Sequence, residues 1–290
     1  MATIQERRIE NIDGNFYVDS SCIDCDTCRW MAKTVFNRQG SQSAVYNQPK
    51  TKTEKQKAAQ ALLSCPTASI GTVNKPKNIK QIHQAFPLPI EANVFHCGYH
   101  ARASYGAASY FIQRPEGNVL IDSPRFASPL VKRLEELGGV KYLYLTHQDD
   151  VADHHKYQQH FNCERILQED DVQPDTQLVE IKLSGTETVE LTPDIQIISV
   201  PGHSKGHTVL LYQNKFLFTG DHLAWSPHLL QLYAFRRFCW YSWSEQIKSM
   251  EKLADYDFEW VLPGHGRRHH GSLAITQNEM QKCIEWMKQQ

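Results

Sequence analysis

The sequence predicts an α/β protein with much antiparallel pairing, divided into a small N-terminal domain and a larger second one. At 290 residues the chain exceeds the ~150 typical of one domain. A stretch rich in Asn, Lys and Pro, residues 72–90, reads as a linker, so the domains are taken as 1–80 and 81–290. Beyond it, β-rich runs alternate with helical ones.

In the first domain a short cysteine loop is followed by a polar stretch from Asn37 to Thr53 and a helix from Glu54 to Leu63 in which alanines and leucines cluster. In the second, Ser109 to Gln113 and Asn118 to Asp122 flank Pro115-Glu116-Gly117 and read as a hairpin. Leu130 to Leu137 is helical and stops at Gly138-Gly139. Val140 to Leu145 suits a buried strand, and Val209 to Phe218 a second hairpin across Gln213-Asn214. Helices are expected over Ser244 to Leu253 and Met280 to Met287 from their apolar faces.

Hydrophobic residues at 41% and charged ones at 22% permit a packed core and exclude a mainly disordered chain. No apolar run approaches a membrane span, and the opening residues lack the apolar region of an export signal, so a soluble, cytoplasmic protein with no membrane partner is expected. Residues 1–80 carry 12 Lys and Arg against 7 Asp and Glu, leaving 19 against 25 for the rest. The basic side chains are dispersed among thiols, so no nucleic-acid partner is expected; electrostatic docking of the two domains is.

Eight cysteines are present, and a reducing compartment favours metal ligation over disulfides at the clustered ones. Cys22, Cys25 and Cys28 are spaced by two residues, and Cys65-Pro66 follows the helix. Structural zinc takes two separated pairs, whereas this triplet matches an iron–sulfur run, and with no fourth cysteine nearby a single cluster is implied. Cys97, Cys163, Cys239 and Cys283 stand singly and read as buried fillers. Cys22 to Phe36 together with Cys65 to Ile70 resembles the mono-cluster bacterial ferredoxins, and the resemblance implies one 4Fe-4S cluster on Cys22, Cys25, Cys28 and Cys65.

Four further loops concentrate nitrogen and oxygen ligands: Thr146 to His154, Pro201 to His207, Thr219 to His222 and Pro263 to Gly266. Each follows a β-rich run, where a rigid sheet can present converging side chains. Together they resemble the metallo-β-lactamase superfamily over about residues 90–270, which implies an αβ/βα sandwich behind the small ferredoxin-like domain. Carried over, the motif assigns His147, Asp149 and His203 to one metal and Asp153, His154 and His265 to a second, with Asp221 bridging. Asp149 stands where the superfamily usually has His, and two extra residues precede Asp153-His154, so either Asp149 or Asp150 could ligate. His207 is expected to hydrogen-bond a ligand and joins Asp221 and Asp153 as a catalytic candidate; Lys205 and His269-His270 read as solvated, and His222 is left unassigned. The aromatic stretch with Tyr233, Phe235, Phe238, Trp240 and Tyr241 could roof the metals, meet the ferredoxin domain or pack in a core.

The implied cofactors are one 4Fe-4S cluster and two divalent ions, zinc or iron. A dinuclear site generates hydroxide at neutral pH, so a small-molecule ester, thioester or lactone hydrolase is the first expectation, the cluster then serving redox sensing or structure. The alternative is a di-iron oxidoreductase that reduces dioxygen or nitric oxide with electrons from the fused cluster, itself recharged by a redox partner; oxygen-rich ligation suits iron. A non-enzymatic electron-transfer scaffold is the third reading.

Overall fold

The computed structural model describes residues 2–290. Two sheets stack face to face. One has seven strands in the spatial order Ile181–Leu183, Glu164–Gln168, Tyr142–Tyr144, Val119–Ile121, Tyr110–Ile112, Val94–His96, Leu88–Glu91; the other has six, in the order Val189–Thr192, Ile195–Ser199, Thr208–Tyr212, Phe216–Gly220, Trp260–Pro263, His269–His270. Between them lies an apolar layer that includes Tyr110, Ile121, Ile166, Ile197, Leu210 and Phe218. Helices Ser128–Glu136 and His154–Phe161 cover the outer face of the first sheet through Leu130, Leu134 and Tyr157. Trp243–Leu253 and Leu273–Lys288 cover the second through Met250, Leu253, Met280, Cys283 and Met287. This is the expected αβ/βα sandwich.

The local chemistry explains the elements. Strands Thr208–Tyr212 and Phe216–Gly220 are buried on both faces and joined by residues 213–215, where the Lys215 amide donates to the Tyr212 carbonyl at 3.1 Å across Gln213 and Asn214, both with positive φ, +54° and +48°. The expected helix at Glu54 begins at Lys52, because Thr51 and Glu54 form a reciprocal capping box. Residues 72–90 are more than a linker. They hold helix Ile79–Gln84, whose Ile82 is buried in the outer core, and the edge strand Leu88–Glu91, where Pro89 is tolerated because that edge needs no further donor. The polar stretch likewise contains a hairpin, Phe36–Gln39 with Gln42–Val45, and the last helix starts at Leu273 rather than Met280; Ile275 points to solvent and hides its first turns from a one-face pattern.

The cysteine-bearing segment rests against the sandwich through apolar contacts. Ala59, with Met31 and Leu63, packs into the core beneath helix Ser128–Glu136. The polar contacts run against the expected charge docking: in the Arg267–Asp26 pair, 3.2 Å apart, the sandwich supplies the base, and Arg125 donates to the Leu63 carbonyl. Among the described residues no helix is long and apolar enough to cross a membrane.

Leu143 is fully buried in the strand that feeds the first ligand loop. Leu143→Ala is expected to cost about 2–5 kcal/mol of unfolding free energy. Denaturant titration at matched metal content measures it.

Candidate metal and cluster sites

All four ligand loops emerge from carboxyl ends of strands at one end of the sandwich. His147, Asp149 and Asp150 follow Tyr142–Tyr144; His203 follows Ile195–Ser199; Asp221 follows Phe216–Gly220; His265 follows Trp260–Pro263. The two sheets are tied there by the Thr208 amide donating to the Thr146 carbonyl at 2.9 Å and by Tyr144 Oη donating to Thr208 Oγ1 at 2.8 Å.

On one side of the site, Asp149 Oδ2 lies 3.9 Å from His147 Nε2 and 3.4 Å from His203 Nε2, and Asp221 Oδ2 lies 3.9 and 4.0 Å from the same nitrogens. On the other, Asp150 and Asp221 each bring a carboxylate oxygen within 4.8 Å of His147, and His265 Nδ1 meets Asp221 Oδ1 at 2.7 Å. Gly264 allows this approach, since a Cβ there would sit 2.7 Å from Asp150 Oδ2. Asp150, His147 and His203 are buried, whereas the Asp149 side chain is 47% exposed and marks the open side.

The donor chemistry fits cations. Both Asp150 oxygens and the Nε2 atoms of His147, His203 and His265 are buried without a hydrogen-bond partner, a costly arrangement unless metal lone-pair bonds replace the missing ones. Burial pushes Asp150 well above the carboxylate range, with nearby Asp221 adding to the effect. Burial takes His147 down to about 4, leaving a neutral imidazole. Its tautomer is fixed. Thr146 Oγ1 donates to Asp122 at 3.0 Å and therefore accepts from His147 Nδ1 at 2.9 Å, so Nε2 presents its lone pair to the site.

Two positioning residues had no local signal in the sequence. Asp122 directly follows strand Val119–Ile121, and only the topology brings it beside Thr146. Asp171 ties two ligand loops together, accepting from Ser204 Oγ at 2.5 Å, the Gly206 amide at 2.7 Å and the Gln148 amide at 3.1 Å.

The structure does not bring Asp153 and His154 to this cluster. Val151 packs toward the outer core, and the helix beginning at His154 carries both side chains away. Asp153 instead accepts from the Phe126 amide at 2.8 Å and Lys156 at 2.7 Å, and His154 Nδ1 lies 3.1 Å from the Arg165 guanidinium. Asp150 stands where the second metal's carboxylate was expected from Asp153. His207 is behind the donors: its Nε2 accepts from the Asp221 amide at 3.3 Å and its ring stacks on His147, so it orients rather than ligates. His222 is buried beside it. Lys205 is exposed and paired with Asp170 at 2.6 Å. His269 and His270 are not solvated tails; they form a short strand and stack on Trp225 and Trp260. Of the aromatic stretch, Tyr233 and Phe235 pack near Gly266, while Trp240, 6.3 Å from the His203 ring and 62% exposed, stands with Phe238 and Tyr241 at the rim.

Cys22, Cys25, Cys28 and Cys65 line one cavity. The Ser69 amide donates to Cys65 Sγ at 3.2 Å and the Ser43 amide to Cys22 Sγ at 3.5 Å. Burial pushes Cys25 up to about 11 and Cys28 well above its ordinary value, so ionised thiolates here call for cationic iron. Sulfur ligands with amide donors around them fit a cluster. The other four cysteines are free thiols apart from this cavity, and Cys97, Cys163 and Cys283 are buried as expected.

Residues 18–72 match the family described as the 4Fe-4S single cluster domain of ferredoxin I. The metallo-β-lactamase from Hirschia baltica superposes with a TM-score of 0.53 at 16% identity, covering 69% of this chain and 95% of its own. That from Pontibacter korlensis gives 0.51 at 16%, covering 70% and 98%, and FIM-1 from Pseudomonas aeruginosa, in its mono-zinc form, 0.52 at 12%, covering 68% and 93%. No curated protein matches by sequence. The chain thus joins a single-cluster ferredoxin domain to a metallo-β-lactamase fold.

Asp150→Ala is expected to remove about one bound ion per chain, whereas Asp153→Ala leaves the stoichiometry unchanged. Metal analysis of the purified variants separates the two. Asp171→Ala, which frees both ligand loops, should weaken metal affinity about 10–100-fold in a competition titration.

Proposed function

We propose that the chain is an oxidoreductase in which the 4Fe-4S domain delivers electrons to a dinuclear centre held by His147, Asp149, Asp150, His203, Asp221 and His265. One observation carries this reading: a single loop, residues 100–108, lies against residues of both sites. On one side Gly106 lies so close to the cysteine loop that a Cβ would stand 3.2 Å from Cys25 Sγ, and Tyr105 Oη donates to the Ile23 carbonyl at 2.7 Å. On the other, the Tyr105 ring centroid is 6.4 Å from that of His265, and the Ala108 amide donates to the Gly264 carbonyl at 2.8 Å. A passenger cluster has no need of such closeness. Three carboxylates among six donors also suit iron.

When bound, the two ions supply a paired redox and Lewis-acid centre for a small substrate such as dioxygen or nitric oxide. The chain's own residues do the rest. Asp122 and Thr146 hold His147 in its ligating tautomer, and Asp171 fixes the spacing of the His147 and His203 loops. His265 keeps Asp221 oriented through its 2.7 Å hydrogen bond. Access is from the Asp149 side.

A second reading, hydrolysis of an ester, thioester or lactone, is favoured by the exposed Phe238, Trp240 and Tyr241 at that entrance, an apolar rim suited to a carbon substrate rather than a diatomic one. Electron dependence decides between them. With a low-potential dye as donor, Cys28→Ser protein of full dinuclear occupancy should lose essentially all reductase turnover. Retention of the wild-type rate would overturn the oxidoreductase reading, as would two zincs beside about four irons in anaerobically purified protein, where about six irons are expected.

A further inference from the structure

We infer that Thr27 and His100 form a hydrogen-bond relay through which the sandwich sets the reduction potential of the cluster. Thr27 opens the short helix after Cys25 and is buried; its Oγ1 lies 3.4 Å from Cys25 Sγ and 3.1 Å from His100 Nδ1. His100 belongs to the loop of the sandwich whose Gly106 lies against Cys25. The relay therefore crosses from one domain to the other.

The direction of every proton in it follows from the surroundings. His100 Nδ1 is 2.7 Å from the Gly106 carbonyl oxygen, which can only accept, so Nδ1 carries hydrogen. Burial takes His100 down to about 3, despite the Gly106 bond, so the ring is neutral and its Nε2 is a bare lone pair. That Nε2 is 2.8 Å from His96 Nε2, which must then be the donor; His96 Nδ1 is consequently bare, and it is indeed buried without a partner. Trp30 packs on both imidazoles, and the Arg268 guanidinium lies 4.7 Å over Trp30, an arrangement that opposes protonation of either ring.

In the free thiol the bond runs from Cys25 Sγ to Thr27 Oγ1; a ligating thiolate can only accept, so with His100 Nδ1–H lying between Gly106 O and Thr27 Oγ1 the threonine hydrogen then turns toward Cys25 Sγ. A hydrogen bond to a ligating sulfur stabilises the more negative, reduced cluster and so raises the potential. His96 and His100 do not touch the cluster; they act through Thr27, as positioning residues. The inference rests on the cluster alone and on neither reading of the dinuclear centre, so its failure leaves those readings untouched.

The test uses the full-length, cluster-loaded protein under anaerobic conditions, with the potential read from absorbance during dye-equilibrated reduction. In Thr27→Val, which keeps the shape and removes the hydroxyl, the reduced-to-oxidised ratio at fixed poise should fall about tenfold, a shift of about 59 mV for one electron. Thr27→Ser should restore the wild-type value. His100→Leu should shift the potential in the same direction, and adding it to Thr27→Val should change little, because both act through one bond. Wild-type potential in Thr27→Val with full iron and sulfide content overturns the inference, as does failure of loaded Thr27→Ser to rescue. If Thr27→Val does not hold a cluster, His100→Leu, whose change lies outside the cysteine loop, decides: an unshifted potential there overturns it equally.

Discussion

Three carboxylates, the buried Asp122 and Asp150 and the largely buried Asp221, crowd one end of the sandwich, and most of what is unusual in this structure answers to that density of negative charge. Uncompensated, buried anions of this kind would be driven to protonate or would open the fold. Only part of the compensation comes from the chain: His265 Nδ1–H donates to Asp221 Oδ1 at 2.7 Å. Asp122 is pushed up to about 7 by burial even though Thr146 bonds to it twice. The remaining demand is for cations at the Nε2 atoms and oxygens that have no partner.

Meeting that demand places requirements on distant residues. The candidate ligands come from both sheets, so the sheets must hold a fixed register, and the apolar layer with its stitches at Thr146–Thr208 and Ala108–Gly264 provides it. The loop that makes the second of these stitches also lies against Cys25. The two sites thus share a structural support, and the apolar seating of Met31, Ala59 and Leu63 keeps it in place without reliance on surface charge.

Much of this was legible in the sequence for a physical reason: short-range chemistry leaves short-range marks. Thiol spacing on one loop, a Gln-Asn turn between β-rich runs and a histidine after each of several strands are local patterns that the fold preserves. What failed was whatever depends on where the chain goes next. An Asp-His pair at 153–154 has the right residue types, but Val151 seeks the outer core and the following helix departs with them, leaving the adjacent Asp150 to face inward. Asp122 and Asp171 are solitary carboxylates whose partners lie 24 and 33 residues away, beyond the reach of any local pattern. Net charge counted by segment misdirected the docking expectation because it ignores which residues face the boundary; the pair found there, Asp26 with Arg267, has the opposite polarity.

The uneven burial of the donors has a kinetic side. His147, His203 and Asp150 are sealed under the strand ends, whereas Asp149 alone among the six keeps nearly half of its side chain in water. An ion arriving at the folded chain must therefore shed its hydration first on Asp149 and pass inward from there, and an ion leaving must retrace that step. An ion held at the inner position, by Asp150 and Asp221, would therefore exchange more slowly than one held at the outer position beside Asp149.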